Sequence, residues 1–300
     1  MKLKALPIAL ALATAPVTVL AEQKSDIDMS NPTDVYTSVG VSYGNKGTNL
    51  KAQLMLSETK GEHGSKSGVI FEAKNVFNEG DKRAKFSGGF KPGLVNGKPD
   101  MVPNMNDEAN ASSYRLRYGT INTENGTGWS IDAILADHAF YGKMAAIQAG
   151  PVITIPVSDN FYIFPVLYAG PVIVEDNLDL LTSGSEKTIG EKNGAMVKKG
   201  LNARSSGVDV PSIIGTSMTY ARYTINDNWW ILGSVSYTQS LLGKEWDDDV
   251  KDGGLQLPSL AGEVSLAYQI NSHQNIRVNY RTDNSDHTDD MYWVEYNYAF

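Results

Sequence analysis

The chain has 300 residues, no cysteine, and 26 Lys plus Arg against 34 Asp plus Glu, a formal charge of −8. The missing thiol excludes a disulfide framework, a thiolate metal site, a thiol nucleophile and a lipid-modified leader, and net acidity argues against a nucleic-acid partner. A 41% hydrophobic content and a mean hydropathy of −0.27 fit a soluble protein. They fit a membrane β-barrel equally well, because lipid-facing and lumen-facing residues alternate there and cancel in any window.

The first element is a leader. Lys2 and Lys4 precede an apolar run from Ala5 to about Val17, and Val19 and Ala21 are small residues spaced for a cut after Ala21. This is the pattern of a cleaved secretory signal peptide over 1–21, too short to span a membrane. A short polar segment over 22–34 follows, then a single domain over 35–300.

Beyond residue 22 helical periodicity is nearly absent and period-two alternation recurs. Strands are predicted near 35–43, 50–57, 68–76, 113–120, 129–136, 144–155, 161–170, 212–225, 228–240, 260–270, 275–281 and 291–300. They run to about ten residues, longer than the ~5–6 of globular sheets and suited to a tilted membrane strand. Three connections, "PVSDNFYI", "TINDNWWI" and "YQINSHQNIRV", share one design of strand, tight Asn/Asp/Ser turn and strand. Between them lie long polar stretches near 176–211, 241–258 and 282–290. The N-terminal half departs from this alternation, with "YGNKGTN" short and "SETKGEHGSKS" long, so ten or fourteen strands are the alternatives to twelve.

The charges share one face of each strand. Tyr292, Val294, Tyr296, Tyr298 and Phe300 oppose Trp293, Glu295 and Asn297, while Ile276, Val278 and Tyr280 alternate with Arg277, Asn279 and Arg281. Tyr114, Leu116 and Tyr118 flank Arg115 and Arg117, and Leu260, Val264, Leu266, Tyr268 and Ile270 oppose Glu263 and Gln269. An Arg or Lys facing lipid at mid-bilayer costs about 2–4 kcal/mol. Several would cancel most of the ~5–15 kcal/mol that holds a domain together. On this register none faces out.

With these residues in place, the chain resembles Gram-negative outer-membrane β-barrel proteins of porin-like size. In that family a last strand with alternating aromatics and a terminal Phe is the signal read by the barrel-assembly machinery, and Tyr296, Tyr298 and Phe300 match it. The resemblance implies an all-β, antiparallel up-and-down barrel of about twelve strands in the bacterial outer membrane, in contact with lipid and lipopolysaccharide. It places the short turns, both termini and the 22–34 segment on the periplasmic side.

The interior then holds Lys51, Lys74, Arg115, Arg117, Arg222, Arg277 and Arg281 against Glu72, Asp132, Glu263 and Glu295. Cationic linings favour anions. The expected function is a passive channel for small hydrophilic solutes with a lean toward anions, without cofactor or resident metal. The alternative is a closed barrel whose charges pair across strands and whose loops meet lipopolysaccharide or an external partner. An exported soluble sandwich is a further alternative.

The segments 77–112 and 176–211 exceed ordinary connections. The first, with Met101 and Met105, reads as an inward constriction or a solvated loop. Asp247, Asp248, Asp249, Asp286, Asp289 and Asp290 read as a solvated acidic face or a divalent-cation bridge, without the ligand spacing of a calcium loop. Among the histidines, His63 and His273 fall in predicted inner turns and His138 and His287 on the outer side. His138 beside Asp137 is the one candidate base for lipid hydrolysis, and no serine partner is identifiable, so the expectation is no enzyme. Trp129, Phe161, Trp229, Trp230, Tyr298 and Phe300 form a predicted aromatic girdle at the periplasmic strand ends, and Tyr43, Tyr237 and Tyr280 one at the outer ends.

Overall fold

The computed structural model describes residues 27–45, 47–61, 64–76, 82–85, 90–95, 98–103, 107–110, 112–138, 142–175, 208–243, 259–284 and 290–300. Its strands are β1 (Ser38–Gly44), β2 (Gly47–Thr59), β3 (Ser65–Val76), β4 (Lys82–Lys85), β5 (Phe90–Val95), β6 (Lys98–Pro103), β7 (Asp107–Asn110), β8 (Ser113–Asn122) and β9 (Gly128–His138). They continue as β10 (Gly142–Val152), β11 (Ile155–Ser158), β12 (Phe161–Glu175), β13 (Val208–Thr224), β14 (Trp229–Gly243), β15 (Leu260–Asn271), β16 (Gln274–Asp283) and β17 (Met291–Ala299).

Twelve of these close into one antiparallel barrel. Its order is β1, β2, β3, β8, β9, β10, β12, β13, β14, β15, β16 and β17, with β17 returning to β1. The closing seam runs from Ser38 opposite Ala299 to Gly44 opposite Trp293, and the Phe300 N–H extends it to Thr37 O at 3.0 Å. β11 continues β10 beyond a break at Ile153–Thr154 and pairs with the start of β12. The β10–β12 ladder is itself interrupted. Pro151 and Pro171 have no N–H to give it, and at Gly170 a Cβ would stand 1.9 Å from Ile147 O.

The strands agree with those read from sequence, and the doubtful N-terminal half resolves by strand length. β2 and β3 run on to Thr59 and from Ser65, so the stretch that looked too long for a turn shrinks to 60–64. With 123–127, 159–160, 225–228 and 272–273, that makes five short connections at one end, the turn end. Asparagine closes several: Asn226 Oδ1 accepts from the Asn228 and Trp229 amides at 3.0 Å each, and Asn271 Oδ1 accepts from the His273 amide at 2.9 Å. The long connections lie at the opposite, loop end. Within 77–112, β4 pairs with β7 and β5 with β6, strands that sequence periodicity did not flag. Met105 and the segments 176–207, 244–258 and 285–289, with Asp247, Asp248, Asp249, Asp286, Asp289 and His287, lie outside the described residues, as do the leader and His63.

Burial is inverted relative to a soluble protein. Leu54, Leu56, Phe71, Leu116, Leu167, Val235, Val264 and Val278 are exposed, while Asp132, Asn275, Ser212, Ser265 and Asn279 are buried. A soluble sandwich would show the reverse; this is the outer face of a barrel in lipid. At the turn end Trp129 lies edge-on to Tyr118 and Trp229 packs on Tyr268, while Tyr43, Tyr237, Tyr280 and Tyr292 are exposed toward the loop end. Trp230 departs from the predicted girdle. It is 3% exposed and faces inward, because in a Trp-Trp pair on a strand only one ring can face lipid.

The candidate lumen and the segment across its turn end

The barrel encloses a cavity of about 470 Å³. Its walls differ in chemistry because each strand contributes every second residue.

The first wall is charged. In one cross-strand row Lys51 on β2 faces Glu72 on β3, and Glu72 faces Arg115 on β8. In the next row Arg117 faces Asp132 on β9, and Asp132 faces Gln148 on β10. Arg115 Nε donates to both Asp132 oxygens at 2.8 and 2.9 Å, and its Nη2 also meets Oδ2. Arg117 Nη2 lies 3.5 Å from Asp132 Oδ2, and Arg115 Nη1 lies 3.6 Å from Glu72 Oε2. Asp132 has no exposed side-chain surface, so two arginines neutralise one buried carboxylate. Lys51 and Lys74 also line the cavity, and among the described residues neither has an ion-pair partner within 4 Å.

A second charged pairing closes the circle. Arg277 on β16 faces Glu295 on β17, and Glu263 on β15 faces Arg281 on β16. Asn297 Nδ2 donates to Glu295 Oε1 at 2.8 Å. Between the charged sectors β13 and β14 supply hydroxyls, with Thr216 and Thr238 3.1 Å apart and Ser212 donating to Ser240 at 3.1 Å. The remaining wall is apolar: Met144, Ala146, Val172, Val174 and Ile214 form one buried cluster. β12 is therefore apolar on both faces, Leu167 and Ile173 outside and Val166, Val172 and Val174 inside.

Lys51, Lys74, Arg115, Arg117, Glu263, Arg277, Arg281 and Glu295 all border the cavity. Arg222 does not. It is held at the turn end by the polar segment that precedes β1. Residues 27–36 cross the barrel mouth there, folded by Asp28 and Asn31 turns in which Asn31 Oδ1 accepts from the Thr33 amide at 3.0 Å. Five strands fasten it. Arg222 Nη1 donates to Asp28 Oδ2 at 2.7 Å and Ser30 Oγ at 2.8 Å, and Arg277 Nη2 to Met29 O at 2.9 Å. Gln269 and Asn275 point amide groups at Met29 Sδ, Gln53 Nε2 donates to Asp34 O at 3.1 Å, and Lys66 Nζ pairs with Asp34 at 3.2 Å. Gly68 has no side chain where Val35 needs the space, since a Cβ there would lie 2.6 Å from Val35 Cγ1.

The tally of charge is therefore tighter than the sequence implied. Six cations on the cavity wall face Asp34, Glu72, Glu263 and Glu295, with Asp132 behind them. What excess remains sits on the β2–β3–β8 side, with Lys51 and Lys74. The His273 ring lies in a turn with Nδ1 3.1 Å from Ala299 O, at the opposite end of the barrel from the loops where lipid hydrolysis would be sited; of His138 only the strand is described. No group of three or more acidic or histidine side chains placed to hold a metal occurs among the described residues.

No protein-family model matches the sequence, and no curated protein sequence does. Solved structures do. The COG4313 outer membrane channel from Pseudomonas putida F1 aligns over 92% of this chain and 100% of its own at 10% identity and a TM-score of 0.47. The NanC porin aligns over 88% and 98% at 6% identity and a TM-score of 0.41. The transport unit of the autotransporter AIDA-I from Escherichia coli aligns over 98% and 97% at 13% identity and a TM-score of 0.41. On its closed twelve-stranded ring, lipid-type exterior and polar interior, the chain has the build of an outer-membrane β-barrel of porin-like size.

Proposed function

We propose that the chain is an outer-membrane channel that admits small hydrophilic solutes, anions in preference, from the loop end, and that residues 27–36 close it at rest. The observation that carries this reading is the cavity itself, lined by Lys51 and Lys74 without ion-pair partners among the described residues. An ammonium that is not locked in a close ion pair replaces part of the hydration an anion must shed. Export through the 1–21 leader, residence in the bacterial outer membrane, contact with lipopolysaccharide, and assembly through Tyr296, Tyr298 and Phe300 belong to the same proposal. So does passive transport rather than catalysis.

The second reading, a closed structural barrel, is favoured by the same segment, tied to five strands across the mouth. Planar-bilayer conductance separates the two. The chain from Glu22 onward is expected to conduct weakly, and the same chain lacking residues 22–36 strongly. Lys51→Ala with Lys74→Ala in the shortened form is expected to move the reversal potential toward cations. A shortened barrel that carries no current supports the closed reading; one whose selectivity ignores both lysines refutes the anion lean.

A further inference from the structure

The closing segment rests on two arginines built alike. Arg222 on β13 lies 4.6 Å from the Tyr162 ring, and Arg277 on β16 lies 5.9 Å from the Trp230 ring. Each guanidinium lies over an aromatic ring, a contact that leaves its planar donors free for a carboxylate. What they hold is a set of acceptors: the Asp28 carboxylate at 2.7 Å, the Ser30 hydroxyl at 2.8 Å and the Met29 carbonyl at 2.9 Å.

Donors outnumber those acceptors. Arg222 Nε, Arg277 Nε and Trp230 Nε1 are buried without a partner, on side chains of which Arg222 is 8% and Trp230 3% exposed. Asn275 and Gln269 spend amide N–H groups on the Met29 thioether at 3.6 and 3.4 Å, a weak acceptor. A buried donor without an acceptor is costly. This floor is thus suited to more oxygen than the segment brings to it.

We infer that Arg222, Arg277 and Trp230 form an anion-binding exit site, that its ligand class is a small carboxylate carrying a second oxygen acceptor, as in a short dicarboxylate, and that Asp28 with the Met29 carbonyl occupies it as an internal mimic. The inference rests on the channel reading. A solute arriving from the lumen competes for the same donors, and because it binds only where the segment has left, its binding shifts the population toward the open barrel. The mimic is a modest binder for a reason visible in its chemistry: one carboxylate, one hydroxyl and one carbonyl serve two guanidinium groups.

The test uses the chain from Glu22 onward in planar bilayers, with succinate or its neutral diamide added on the loop side. Succinate is expected to raise the open fraction saturably, and the diamide at equal concentration to leave it unchanged. Asp28→Asn, which removes one charge-assisted bond, should raise the resting open fraction about tenfold and lower the succinate needed for half-opening. In the barrel lacking residues 22–36, succinate should quench tryptophan emission, and Arg222→Gln with Arg277→Gln should abolish the quench. If that shortened barrel conducts but binds no succinate, or if succinate and the diamide act alike, the exit site is refuted while the channel stands. If the shortened barrel carries no current, the channel reading falls and takes this inference with it.

Discussion

Asp132 is the residue on which the charged wall depends most. Its carboxylate has no solvent-exposed side-chain surface and receives Arg115 through two nitrogens, with Arg117 Nη2 at 3.5 Å. Asp132→Ala leaves both guanidinium groups facing each other, with Glu72 at 3.6 Å from Arg115 as the nearest remaining counter-charge. Removing one partner of a buried pair costs about 3–5 kcal/mol. Both arginine side chains keep a fifth of their surface in the lumen, 21% and 20%, where water screens them, so about 2–3 kcal/mol is expected. Guanidinium unfolding of the reconstituted barrel, followed by tryptophan emission, measures it. The double variant Arg115→Met, Asp132→Leu should lose less than Asp132→Ala alone, since an apolar pair replaces the ion pair without stranding Arg115. Asp132→Ala should also move selectivity toward anions by deleting one of the five carboxylates counted at the wall. An unchanged unfolding midpoint, or a double variant worse than the single one, would refute the buried-pair reasoning.

Two further outcomes are expected. Gly170→Val places a Cβ 1.9 Å from Ile147 O in the interrupted β10–β12 ladder and should abolish the compact, heat-modifiable form on gels, whereas Gly233→Ala, whose Cβ would meet Glu263 O at 3.8 Å, should leave it intact; equal behaviour of the two overturns the steric argument. Deleting Phe300 removes one seam bond, Phe300 N–H to Thr37 O at 3.0 Å, worth about 1 kcal/mol. It should therefore cut the amount of barrel in the membrane while leaving refolding in detergent nearly unchanged, and equal loss in both would deny the residue a role in assembly.

The staves were legible because a barrel in lipid enforces period two on every strand. Tyr114, Leu116 and Tyr118 around Arg115 and Arg117 admit one register only, and the structure has that register. The segment across the turn end was not legible in the same way. Residues 27–36 have no period; their Asn, Pro and Asp residues specify turns, and the partner of Asp28 lies 194 positions away in Arg222. Arg222 read alone is one more inward cation, and nothing local says that it is already taken. The apolar wall did leave a trace. "FYIFPVLYAGPVIVE" is apolar at nearly every position, and a strand with lipid on one side has no need of that unless its other side is dry as well. Trp229 and Trp230 carried a comparable hint, since adjacent residues on a strand cannot share a face.

The seam between β1 and β17 sets the order in which the molecule can be made. Its register partners, Val39 with Tyr298 or Val41 with Tyr296, come from opposite ends of the sequence, so closure is the contact of longest chain separation and carries the largest loop entropy. Every other stave can pair with a neighbour as hairpins form. These two must wait, each an open edge with a row of free N–H and C=O groups. Until they meet, the same alternation that suits the ring to lipid makes it a template for another copy. Closure of the last seam is what turns an aggregation-prone sheet into a finished wall.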